Sequence, residues 1–164
     1  MPYSYSHYKE DVKQHIFQNI PSDAKILDVG PGCGTYAHLL RERYHIDGLE
    51  IFEPYINRFG LRDLYNNVIL GNILEFDFSG YDYIIMGDIL EHIKLDDAAK
   101  LLENINNHCK CLVAVPYLFE QGEWEGNVHE THHQPDLTPE LFLQRYPYMH
   151  LLYGDNHYGY YINY

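Results

Sequence analysis

Ile26-Leu27-Asp28-Val29-Gly30-Pro31-Gly32-Cys33-Gly34-Thr35 decides the fold of this chain. Four residues of buried-strand character run straight into a glycine loop, and the loop opens a helix-like stretch from Thr35 to Arg43. In a doubly wound sheet this turn sits at the carboxyl edge of the first strand, where ligands bind. Its glycines let the backbone reach a ligand and take positive φ. The Gly-x-Gly-x-Gly spacing lacks the third glycine of the dinucleotide fingerprint, which closes helix on strand beneath a pyrophosphate. A phosphate-free adenosine ligand suits it better. Glu50 lies 20 residues beyond Gly30, at the end of the second predicted strand, where an acid accepts both ribose hydroxyl hydrogens.

Working outward, Tyr8 to Asn19 reads as an amphipathic helix ended by Pro21 and Ser22. Strands are predicted at Lys25 to Val29, His45 to Glu50, Asn67 to Leu70, Tyr81 to Met86 and Cys111 to Val115. Helices are predicted at Pro54 to Phe59 and Leu95 to Asn106. Residues 117–136 turn polar and irregular, as a substrate-side loop would. Thr138 should cap a last helix to Arg145 with Pro139 at its first position. His150 to Tyr153 and Tyr158 to Asn163 close the chain as a hairpin around Gly154-Asp155-Asn156-His157. Alternating strands and helices over the first 115 residues imply βαβ units with helices on both faces of a mostly parallel sheet.

The chain is 164 residues long, so 1–164 is expected to be one domain whose first 20 residues form a helical segment. Lys+Arg is 11 against Asp+Glu 24, a formal charge of −13 that repels nucleic acid and anionic membranes. No apolar run approaches the length of a membrane span. Three cysteines form an odd set without an apolar leader in front of them, which points to a reducing cytoplasm. Tyrosine is the compositional oddity at 17 residues, crowded toward the two ends, where aromatic faces would favour a flat or sugar-like partner. Tyr3, Tyr5 and Tyr8 could equally pack the first helix. Cys33 is expected to be a packing residue, and His108-Cys109-Lys110-Cys111 to be structural.

These residues resemble the class I S-adenosylmethionine-dependent methyltransferases over nearly the whole chain. Asp28 to Gly34 is similar to that family's first motif, Gly48-Leu49-Glu50 to its second-strand acid, and Gly71-Asn72-Ile73 to the segment that contacts adenine. At Asn72 the family commonly has an acid. Tyr81 to His92 is similar to the fourth strand and the loop after it. The resemblance implies a seven-stranded sheet of order 3-2-1-4-5-7-6 with strand 7 antiparallel. It also implies S-adenosylmethionine as cofactor, S-adenosylhomocysteine as product, and a cofactor site of Asp28, Gly30, Gly32, Gly34, Glu50, Ile51, Asn72, Ile73, Gly87 and Asp88.

Methyl transfer from a sulfonium chiefly requires donor and acceptor to be aligned, with a base where the acceptor is a hydroxyl. Candidate bases lie in two places, Asp88-x-x-Glu91-His92 and the run His129-Glu130-Thr131-His132-His133. Asp88, Glu91 and His92 would share a face if their turn is helical. The expected reaction is methylation of a small molecule at oxygen, with His92, His129, His132 and Asp88 as catalytic candidates. No metal is expected, although Asp88, Glu91, His92 and His129 are residue types that could hold one and resemble a metal-assisted subgroup. The remaining alternatives are a non-catalytic cofactor-binding module partnering another subunit and a nicotinamide dehydrogenase, which the glycine spacing disfavours. A homodimer is compatible with this reading.

Overall fold

A computed structural model of the protein describes residues 4–164, so Tyr3 lies outside the described residues. Seven strands form a sheet in the order β3-β2-β1-β4-β5-β7-β6, as expected. The chain packs as two compact units, one ending at Ile85 and the other beginning at Met86.

In the first unit, β1 (Lys25–Val29) pairs in parallel with β2 (His45–Glu50), Asp28 opposite Gly48. β3 (Asn67–Leu70) extends the ladder on the far side of β2, with Glu50 opposite Leu70. Ile26, Leu27, Ile46 and Leu49 are buried, as both-face burial of a parallel sheet demands. Asp47 is buried among them, as are Asp28 and Glu50. The Asp47 carboxylate accepts from Asn67 Nδ2 at 2.8 Å and from Tyr81 OH at 2.8 Å, with Lys25 Nζ at 3.4 Å. Burial alone would raise its pKa, but these partners hold it below the usual carboxylate value.

Around these strands lie α1 (Lys9–Asn19), α2 (Thr35–Leu40), α3 (Glu53–Arg58) and α4 (Leu61–Leu64). Helix α1 begins one residue later than the pattern predicts, because Tyr8 takes the left-handed region at φ 61 and serves as N-cap. Its Val12 and Ile16 are buried, and Tyr44 donates to the Ile16 and Ile20 carbonyls at 3.2 and 3.0 Å. Helix α2 ends at Leu40, three residues short of the predicted Arg43.

Strand β4 (Tyr83–Gly87) crosses from the first unit into the second. The second unit continues with α5 (Leu95–His108), whose buried stripe is Ala98, Leu101, Leu102 and Ile105. Strand β5 (Lys110–Pro116) then pairs antiparallel with β7 (Tyr158–Ile162), and β7 pairs antiparallel with β6 (His150–Gly154). Helix α6 (Pro139–Arg145) has the expected start, with Thr138 Oγ1 accepting from the Leu141 amide at 3.1 Å.

The three tyrosines of β7 are core residues, while Tyr148, Tyr153 and Tyr164 are half-buried. Tyr158, Tyr160 and Tyr161 are all buried in β7, and Tyr161 stacks on Phe142 with ring centroids 3.8 Å apart. Tyr161 and Tyr117 share a hydroxyl hydrogen bond directly above Gly159. A Cβ there would stand 1.8 Å from the Tyr117 hydroxyl, so only glycine fits. Among the described residues, no helix is long and apolar enough to cross a membrane.

Candidate functional site

In the first unit the predicted glycine loop is built as its sequence requires. Gly30, Gly32 and Gly34 take φ of 62, 53 and 83, a conformation that costs a residue with a Cβ. The Gly30 amide donates to the Leu49 carbonyl at 2.8 Å, which ties the loop to the end of β2. Gly34 caps α2 and has a further constraint, since a Cβ there would stand 2.5 Å from Leu64 Cδ1. Opposite the loop, Gly48 leaves room for Pro31 and Tyr65, whose atoms would lie 3.2 and 3.3 Å from an added Cβ.

Asp28 is 1% exposed, and the Tyr65 hydroxyl donates to its Oδ2. Burial pushes the Asp28 pKa up to about 7, opposed by the Tyr65 hydrogen bond and by the Lys9 charge. The Tyr65 phenol is pushed well above its usual pKa by the same burial and by the adjacent carboxyl, so the shared proton stays on the phenol. Tyr65 was not legible as a site residue: it stands 37 positions from Asp28, with no periodicity linking the two.

Glu50 is 3% exposed at the end of β2, with Oε1 accepting from the Phe52 amide at 2.8 Å. Its own carbonyl receives the Gly71 amide at 2.9 Å, which brings the Gly71-Asn72-Ile73 segment to the same end of the strands. Asn72 Oδ1 accepts from the Leu74 amide at 3.0 Å and so caps the 3-10 turn Ile73–Glu75. Ile73 is buried and Ile51 exposed.

The second unit carries the acid and histidine candidates. Gly87 ends β4, and Asp88 follows at φ 58, its amide donating to the Ala114 carbonyl at 2.9 Å. Glu91 and His92 lie in the separate 3-10 turn Leu90–His92, so a single helical face for Asp88, Glu91 and His92 does not form. The segment 131–134 runs directly against this turn. His133 N and Gln134 N both donate to the Glu91 carbonyl, at 2.7 and 3.1 Å. Gln134 then fixes the arrangement: Nε2 donates to the carbonyls of Leu90 at 3.0 Å and Ile93 at 3.1 Å, and Oε1 accepts from Tyr146 OH at 3.0 Å and Arg145 Nη1 at 3.2 Å. A buried amide with four partners is a structural pin, and no local sequence pattern marks it.

The result brings Glu91, His92 and His132 together, each with a ligating atom within 4.8 Å of the others. Asp88 and His129 are not members of this group, and His129 is exposed in the turn Val128–Glu130. The His92 and His132 rings meet edge to face at 4.6 Å. Burial, and for His92 the neighbouring His132, lowers both pKa values, that of His92 to about 4. His92 is therefore neutral at pH 7. Glu91 is 1% exposed, and burial with the Asp88 carboxyl beside it pushes its pKa well up.

Trp124 and Asn127 form an isolated bridge in the loop after β5, with Trp124 37% exposed. Leu118, Phe119 and Val128 of the same loop are also exposed.

A family model described as "Methyltransferase domain" matches residues 3–144. No curated protein sequence matches the chain. Among solved structures, the PH0226 protein from Pyrococcus horikoshii OT3 is 14% identical, with a TM-score of 0.68 over 96% of this chain and 91% of that one. The N-terminal domain of EvdMO1 with SAH bound is 14% identical, with a TM-score of 0.66 over 96% of this chain and 80% of that one. Magnesium protoporphyrin IX methyltransferase (ChlM) from Synechocystis PCC 6803 with bound SAM is 11% identical, with a TM-score of 0.65 over 94% of this chain and 77% of that one.

Proposed function

The chain belongs to the methyltransferase-domain family, and from that membership we propose that it moves a methyl group from S-adenosylmethionine to an oxygen of a small-molecule acceptor. The observation that carries the cofactor assignment is the set of three left-handed glycines in the loop after β1, tied by Gly30 to the end of β2, where buried Glu50 ends the strand. Solved structures of the same fold with SAM or SAH bound support it. In this reading the backbone of Gly30, Gly32 and Gly34 approaches the donor, and Glu50 accepts from its ribose hydroxyls. Asp28 braces the loop through Tyr65. Ile51, Asn72 and Ile73 border the adenine.

The reaction is an in-line displacement. A bond forms between acceptor oxygen and methyl carbon as the carbon–sulfur bond breaks, its electron pair passes to sulfur, and S-adenosylhomocysteine leaves with its sulfur neutral. The hydroxyl proton passes to a base, for which Asp88, His92, His129 and His132 are the candidates. Positioning supplies most of the acceleration, because alignment alone can contribute roughly 7–11 kcal/mol. An acceptor of modest size and no polyanionic backbone fits a chain of charge −13.

Incubating the protein with methyl-labelled S-adenosylmethionine and panels of phenols, catechols, sugars and amines tests the acceptor class. Label in an alkali-stable ether is the expected result. Transfer only to amines would overturn the oxygen assignment, and no transfer to any acceptor despite cofactor binding would favour a binding module.

A further inference from the structure

We propose that Glu91, His92 and His132 form a binding site for a borderline divalent transition-metal ion of the Zn²⁺ or Co²⁺ kind. Glu91 is the first reason. Its carboxyl is 1% exposed, and neither Oε1 nor Oε2 has a hydrogen-bond partner among the described residues. Folded proteins rarely bury a carboxyl without a partner, and an ion is one of the few species that satisfies both oxygens.

The two imidazoles are the second reason, because each is already oriented as a ligand. His132 Nδ1 donates to the Phe119 carbonyl at 2.7 Å and His92 Nδ1 to the Thr131 carbonyl at 3.3 Å. A carbonyl can only accept, so the proton of each neutral ring sits on Nδ1 and Nε2 keeps its lone pair. A backbone carbonyl on the far nitrogen is the usual support of a metal-bound histidine.

The third reason is how the group is held. The Glu91 carbonyl receives the amides of His133 and Gln134, so the backbone fixes His132 beside the turn that carries Glu91 and His92. Gln134 pins that contact from within. Ligands bonded at about 2.1 Å stand no more than about 4.2 Å apart, so a cluster within 4.8 Å closes on an ion with small side-chain movements.

Two nitrogens and one carboxylate select a borderline ion over Mg²⁺ or Ca²⁺, which prefer all-oxygen shells. Three protein ligands also leave a coordination position open for water or another donor atom. With the ion bound, the lone pairs of His92 and His132 are committed, which leaves Asp88 and His129 to take a proton from an acceptor. The ion site itself does not depend on the methyltransferase reading.

The test uses the full chain, freed of metal with a chelator and then titrated with Co²⁺, read by its visible absorption, and with Zn²⁺, read by calorimetry. One ion per chain should bind. His132→Ala and Glu91→Gln should each weaken Zn²⁺ binding by about tenfold or more. His129→Ala should bind as the native protein does. Zn²⁺ should raise the melting temperature of the native chain and not that of His132→Ala, with circular dichroism confirming that the variant folds. Absence of a Co²⁺ band, unchanged Zn²⁺ affinity in folded His132→Ala, or an equal loss in His129→Ala would overturn the site. S-adenosylhomocysteine binding, measured separately, reports on the cofactor assignment alone.

Discussion

Asp28 shows how a single residue can be legible as a type and illegible as an environment. An acid before the glycine loop is visible in the sequence, but its burial and its Tyr65 partner exist only once β1 and the chain before β3 are packed together. The consequence can be measured in the cofactor-free protein. The folded pKa of about 7 lies above the ordinary 3.8, so the protonated form is the favourable one. That contribution is full below about pH 4 and is lost as pH rises through 7. Asp28→Asn keeps an acceptor for Tyr65 and removes the ionisation, so the variant should gain on the native chain between pH 5 and pH 8, by up to a few kcal/mol. Urea denaturation at the two pH values checks this, and parallel shifts would refute it.

His132 is the other residue-scale lesson. Three histidines fall within five positions, and nothing in their spacing says which one faces Glu91. The choice is made by the His133 and Gln134 amides on the Glu91 carbonyl, a pairing across more than 40 residues.

Among the elements, β1, β2 and β3 have the predicted bounds; β1 and β2 are buried parallel strands, which read as short runs between glycine, proline and polar turns, and β3 is a half-exposed edge strand of four residues. Helix α4 is not legible in the sequence because four residues after Gly60 carry no period, although Leu61 is wholly buried. Strand β5 runs one residue further than expected at each end, since pairing with β7 reaches Pro116 opposite Tyr158. The predicted loop 117–136 is pinned by Gln134, which no local pattern announces.

Two substitutions test this element scale. Gly34→Ala places a Cβ at φ 83 and against Leu64, which should cost roughly 1–2 kcal/mol for the left-handed backbone before any repacking. Gln134→Leu removes four hydrogen bonds and leaves the Tyr146 hydroxyl buried without its acceptor, a loss of about 2–3 kcal/mol. Chemical denaturation of each variant gives the answer directly, and a native-like midpoint for Gln134→Leu would show that the loop is held by something else.

At the scale of the whole molecule the strand order 3-2-1-4-5-7-6 agrees with what the motif resemblance implied, while local patterning alone supplied only the alternation of strand and helix. The excess of tyrosine suggests a partner-facing feature, and β7 instead buries Tyr158, Tyr160 and Tyr161 as core. Alternation cannot distinguish these uses, since a tyrosine ring serves equally as core or as platform. The −13 charge acts at this scale as well. A labelled nucleic-acid duplex should show no shift with about 10 μM protein in about 0.15 M salt. A salt-sensitive shift would revise the acceptor class.

The central claim is that the glycine loop and Glu50 hold S-adenosylmethionine, and calorimetric titration with S-adenosylhomocysteine tests it most directly. Saturable binding of one ligand per chain is the predicted result, weakened about tenfold or more in Glu50→Ala through loss of a charge-assisted pair of hydrogen bonds. No binding by the native chain, or equal binding by a folded Glu50→Ala, would contradict it.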